Sequence, residues 1–94
     1  MNQLKSMKTK VYTIPKCPYC SKLKTLLDEM NIEYETIDVS LDEHEEEFKK
    51  LMEISGSDSV PMITVGVNLL APDVNFSSID QAAKLIKYIL ENES

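Results

Sequence analysis

Two cysteines stand three positions apart, Cys17 and Cys20, and the chain has no others. A ring that small cannot staple a fold, so these 94 residues must hold together by burying apolar side chains. The supply is adequate, because 43% of the residues are hydrophobic, which suits a small globular core and argues against disorder. A chain of this length supports one domain rather than two.

Periodicity orders the elements. Lys8 to Ile14 is short, rich in β-branched residues and ended by Pro15, so it reads as a strand. From Cys17 to Asn31, residues Leu23, Leu26, Leu27 and Met30 recur on one helical face. Pro18 falls in the first turn, where a missing N–H costs nothing, and Asn31 is the expected stop. Glu33 to Val39 reads as a second strand carried by Tyr34, Ile37 and Val39. Ser40 is expected to begin a helix, with Glu43 completing a capping box and the acidic residues of its first turns facing the positive end of the dipole. Phe48, Leu51, Met52 and Ile54 form its expected apolar face, and Gly56 its end. Val60 to Val65 is a third strand opening with Pro61, and the turn Gly66-Val67-Asn68 leads to a short fourth at Leu69-Leu70. After a loop from Ala71 to Ser77, Ser78 caps a last helix, with Gln81 in a second capping box and Ile79, Ala82, Ala83, Ile86, Ile89 and Leu90 on one face.

The order is therefore β-α-β-α-β-β-α, an α/β arrangement. It implies a four-stranded mixed sheet flanked by three helices. The first two strands are parallel through a right-handed crossover, and the last two form a hairpin. Pattern alone leaves the strand order open.

Charge narrows the partners. Ten lysines, no arginine and sixteen acidic residues give a net charge of -6. That argues against nucleic acid and against an anionic membrane surface. Without arginine there is no bidentate fork for a carboxylate, so an anion site must use Lys, backbone N–H groups or a helix end. No apolar run approaches the roughly 20 residues of a membrane span. Residues 1–7 lack the apolar core of a secretory signal and read as a disordered leader, a tag remnant or an upstream start ending at Met7. Residues 8–92 make the expected single domain, and a cytoplasmic monomer is the expected setting.

The chemistry lies in Cys17-Pro18-Tyr19-Cys20, between a strand end and a helix start. Residues i and i+3 share a helix face with Cβ atoms about 5–6 Å apart. A disulfide wants about 3.8 Å, so a small adjustment in the first turn opens or closes the bond. Cys17 faces unpaired helix N–H groups, the positive end of the dipole and neighbouring Lys16, all of which favour thiolate. Cys20, one turn deeper, has less of that help. Cys17 is therefore the expected nucleophile and Cys20 the resolving thiol. Zinc needs about four ligands. With no third cysteine and only His44 in an acidic helix start, expected to be exposed and structural, no metal site is expected.

At these residues the chain resembles the glutaredoxins. Val11 to Cys20 matches their strand-to-active-site pattern with its Cys-Pro-Tyr-Cys of the dithiol type, and Ser59-Val60-Pro61 matches their Thr-Val-Pro segment. The resemblance runs from about residue 8 to residue 92. It implies a thioredoxin-like fold and a cis bond before Pro61. It also implies reduction of protein disulfides and glutathione mixed disulfides by Cys17 and Cys20, with glutathione as reductant, a reductase system behind it and a redox-active Cys17–Cys20 disulfide. Tyr19 would cover bound glutathione, and Val60 would pair with it as an added strand does. The glutathione-binding set so implied is Lys16, Tyr19, Ser59, Val60, Pro61 and Asp80.

Three positions depart from the family pattern. Ile14 stands where many members have Lys, with Lys16 as a substitute charge. Asp58 stands where a basic residue is common. A Gly-Gly-acid sequence before the last helix is absent, leaving Asp73 or Asp80 to meet the glutathione amino group. These departures motivate an alternative, a glutaredoxin-like redoxin reduced by a thioredoxin reductase. A further alternative is a non-enzymatic iron–sulfur carrier bridging two chains through Cys17 and glutathione.

Overall fold

A computed structural model describes residues 8–93. Residues 1–7, read as a leader or tag remnant, lie outside the described residues, as does Ser94. The elements are β1 (Thr9–Thr13), α1 (Pro18–Glu29), β2 (Glu35–Asp38), a 3-10 turn (Asp42–His44), α2 (Glu45–Ser55), β3 (Met62–Val65), β4 (Asn68–Leu70) and α3 (Ile79–Glu93). The strands form one sheet in the order β2-β1-β3-β4. β1 and β2 run parallel, with Lys10 opposite Glu35 and Thr13 opposite Asp38. β1 and β3 run antiparallel, with Tyr12 opposite Met62. β3 and β4 form the expected hairpin through Gly66-Val67, where Gly66 at φ 62 supplies the positive angle a tight hairpin turn needs.

Strand alternation divides the interior into two layers. Val11, Ile63, Val65 and Leu70 face α1 and α3, where they meet Leu23, Leu27, Ala82, Ala83, Ile86 and Leu90. Tyr12, Ile37 and Met62 face α2 and meet Phe48. The Tyr12 and Phe48 rings stack with centroids 6.5 Å apart. Tyr12 carries its hydroxyl to Glu47 on α2, and Lys10 lies 3.9 Å from the same carboxylate. The thioredoxin-like sandwich expected from the resemblance is thus present, with its helices on both faces of the mixed sheet.

Several local expectations hold for identifiable reasons. α1 ends as Asn31 turns left-handed at φ 59. Asn31 donates to the Asp28 carbonyl at 3.1 Å and Ile32 to the Leu27 carbonyl at 2.9 Å, the paired bonds of a Schellman end. α2 ends at Gly56 with φ 77.

Others fail. Ser40 caps nothing. Its N–H and hydroxyl both donate to the Asp38 carboxylate, at 2.9 and 2.6 Å, a local turn that outcompetes the helix and holds that carboxyl below its usual range. A 3-10 turn follows, and α2 starts five residues later than Ser40, at Glu45. Ile54 is 74% exposed rather than part of the apolar face. It lies about 120° around the helix from Phe48, whereas Leu51 and Met52 flank Phe48 closely. His44 is half-buried rather than exposed, its ring 3.8 Å from Glu43 and 4.0 Å from Glu47. At α3, the Ser78 hydroxyl accepts the Gln81 N–H at 3.2 Å as expected, but the Gln81 side chain reaches Ser77 N–H at 2.8 Å instead of closing the box on Ser78. Among the described residues no helix is long and apolar enough to cross a membrane.

Candidate active site

The register fixes where the chemistry lies. Because Tyr12 opposes Met62, the chain leaving β1 toward α1 lies beside the chain entering β3. The first segment carries Cys17 and Cys20, and the second carries Ser59, Val60 and Pro61. The Val60–Pro61 peptide is cis, as the resemblance implied.

Cys17 is the N-cap of α1, with extended backbone at φ -95 and ψ 112, and Pro18 follows at the first helical position. Its sulfur stands where a serine or aspartate oxygen would cap, and accepts the Cys20 N–H at 3.3 Å. Its carbonyl takes the Ser21 N–H at 3.1 Å. Lys16, just before it, is exposed and held left-handed at φ 63, an uncommon angle for a residue with a Cβ.

The two sulfurs differ in surroundings. Both cysteines are free thiols. Cys17 keeps 9% of its surface exposed, while Cys20 keeps 1%. Burial, with further help from its side-chain hydrogen bond to Cys17, pushes the Cys20 thiol up to about 12. Cys20 therefore stays protonated at neutral pH.

A groove of about 340 Å³ reaches Tyr19, which stands between the two cysteines in sequence, and neither cysteine is among its lining residues. Tyr19, Ser59, Val60 and Pro61 line one part of it. Pro72, Asp73, Phe76, Ser77, Ser78 and Ile79 line the rest. Four of the residues expected to hold glutathione thus meet in one place. Lys16 and Asp80 are not among the lining residues. Asp80 lies 3.9 Å from Lys22, joining the start of α3 to α1. Of the two carboxylates considered for an amino group, Asp73 is the one at the groove. Tyr19 is 64% exposed at its mouth.

Sequence reasoning left out Pro72, Phe76 and Ser77. The available signal was Phe76, an aromatic in a polar loop, which is buried here. Among the described residues, no group of three or more His, Cys, Asp or Glu side chains is placed to hold a metal ion.

Several known proteins are similar to this chain. Glutaredoxin 1 of Rickettsia conorii is 47% identical over 55 residues, covering 58% of this chain and 54% of that protein. The chain thus spans about half the length of the Rickettsia relatives it matches. A glutaredoxin-like 8.6 kDa protein from the rubredoxin operon of Clostridium pasteurianum is 31% identical over 72 residues, covering 77% of this chain and 92% of that one. Among solved structures, a buckwheat glutaredoxin–glutathione complex superposes with a TM-score of 0.68 at 22% identity, over 95% of this chain and 82% of that chain, a likeness of fold. The family model described as Glutaredoxin matches residues 9–70. That match runs from β1 through β4 and takes in both cysteines and the Val60–Pro61 bond, and the chain belongs to the glutaredoxin family.

Proposed function

We propose that this protein is a dithiol thiol–disulfide oxidoreductase that draws electrons from glutathione. Its substrates are protein disulfides and glutathione mixed disulfides, and it works as a cytoplasmic monomer. The observation that carries the reading is the unequal cysteine pair at the start of α1. The more exposed sulfur stands at a helix N-terminus and accepts an N–H, while the buried one is held as a thiol.

Exchange proceeds by thiolate attack on a disulfide sulfur. With a glutathionylated substrate, Cys17 Sγ bonds to the glutathionyl sulfur, and the substrate sulfur leaves as thiolate and takes up a proton. A second glutathione then attacks the glutathionyl sulfur. Oxidised glutathione leaves and Cys17 returns to thiolate. With a protein disulfide, Cys17 Sγ bonds to one half-cystine and the other leaves as thiolate and takes up a proton; Cys20 then loses its proton as it attacks Cys17 Sγ and breaks that mixed disulfide. The substrate leaves as a dithiol and the Cys17–Cys20 disulfide remains for glutathione to reduce. Tyr19 would cover the bound glutathione. Ser59 and Val60 would offer it backbone groups along an added strand, with Pro61 shaping that wall. Lys16 would supply charge near a carboxylate, and either Asp73 at the groove or Asp80 nearby would meet the amino group.

The test is steady-state reduction of a glutathionylated peptide with two electron sources. Turnover is expected with glutathione plus glutathione reductase, and not with thioredoxin reductase alone. Turnover with thioredoxin reductase but not with glutathione would overturn the reading in favour of the redoxin alternative.

A further inference from the structure

We infer that the groove selects disulfides set in cationic peptide segments, with Asp73 as the specificity-determining residue. The inference rests on the oxidoreductase reading above and concerns which protein substrates that site prefers. The groove lining contains one charged side chain, the Asp73 carboxylate, and no lysine. Among the described residues that carboxylate has neither an ion pair nor a hydrogen bond, unlike Asp80, which meets Lys22. Hydrogen bonds within the loop set its backbone. Asp73 sits left-handed at φ 61 and donates its N–H to the Phe76 carbonyl at 2.8 Å. The Asn75 side chain and N–H close the same loop on Ala71, each at 2.9 Å.

The surroundings reinforce the sign. Asp58, exposed, immediately precedes Ser59 at the groove wall. The whole chain carries -6. Lys16 is the cation next to Cys17 in sequence, but it is exposed and outside the groove lining. The remaining polar lining is neutral, chiefly the serines 59, 77 and 78. An unpaired carboxylate in a groove that also holds Tyr19, the residue between the two cysteines, attracts a side-chain ammonium or guanidinium and repels an acid. The net charge adds steering at longer range. The ligand of matching chemistry is an extended peptide with Lys or Arg within a residue or two of the half-cystine. The step is the one written above: Cys17 attacks, Cys20 resolves, and two electrons pass to the peptide disulfide, giving a dithiol.

The experiment uses pre-reduced protein in single turnover without glutathione. Two peptides share one disulfide and differ only in carrying Lys or Glu beside the half-cystines. The Lys peptide is expected to react about tenfold faster at low salt, with the ratio falling as salt rises. Asp73→Asn is expected to reduce the ratio to about threefold, in line with one exposed charge pair. Asp42→Asn, on the 3-10 turn, is expected to leave it unchanged. Equal rates for the two peptides, or a ratio that Asp73→Asn does not alter, would overturn the inference while leaving the oxidoreductase reading standing. Failure to reduce either peptide would overturn both.

Discussion

The Cys20 N–H lies 3.3 Å from the Cys17 sulfur, one helical turn away, while the Cys20 thiol itself is almost wholly buried. One residue thus does two things. Its backbone N–H donates to the sulfur that caps the helix N-terminus, and its side chain lies one turn deeper as a buried thiol. Because both come from the start of α1, a small local adjustment is enough to join them in a disulfide.

Burial of Cys20 predicts an alkaline loss of stability in the reduced protein. A thiol pushed up to about 12 in the fold and near 8.5 in the open chain favours folding fully below about pH 8.5. Above that, the unfolded chain gives up its proton first. Stability then falls as pH rises toward 12. Tyr12, also pushed up by burial and by Glu47, acts in the same direction above its ordinary value of about 10. Urea midpoints of reduced protein from pH 7 to 11 should fall, and Cys20→Ser should flatten the fall.

The division of labour predicts unequal mutants. Cys17→Ser is expected to abolish activity on every substrate. Cys20→Ser is expected to keep much of the turnover on a glutathionylated peptide, because a second glutathione can release Cys17, and to lose protein-disulfide reduction. Steady-state rates on the two substrates check this, and equal loss from both changes would mean that only the dithiol route operates.

The end of α1 predicts a sign change between two substitutions at one site. Asn31 is left-handed at φ 59. Asn31→Ala should cost about 1 kcal/mol, while Asn31→Gly should be neutral or slightly stabilising. Denaturant midpoints decide it, and equal destabilisation by both would remove the argument from backbone angle.

The Tyr12 hydroxyl predicts a polar effect. Tyr12→Phe leaves the ring stack on Phe48 but removes the donor to Glu47. The expected cost is about 1.5–3 kcal/mol at neutral pH, as for a hydrogen bond to a charged group. The same urea titration measures it.

Much of the fold was legible because hydrophobic spacing and backbone exceptions coincide. Leu23 and Leu27 repeat at helical spacing, and Asn31 and Gly56 fall where the chain turns left-handed. The misses lie where side chains compete for backbone groups. Asp38 takes Ser40 before Ser40 can cap, and Gln81 prefers Ser77 to Ser78. Neither competition has a periodic signature. The strand order was also illegible, since it depends on contacts between β1 and β3, which lie far apart in sequence. For the site, Cys17, Cys20 and the Val60–Pro61 segment could be read directly from motif. The rest of the groove could not, because Pro72, Asp73 and Phe76 arrive through a loop whose shape comes from its own hydrogen bonds.

The most direct measurement is mass spectrometry of the Cys20→Ser protein after exposure to oxidised glutathione, with peptide mapping of the adduct. The account predicts one glutathionyl group, on Cys17, removed by added glutathione. Under the same treatment the unsubstituted protein should yield the Cys17–Cys20 disulfide. A Cys20→Ser protein that takes up no glutathionyl group, or a Cys17→Ser protein that takes one up on Cys20 just as fast, would contradict it.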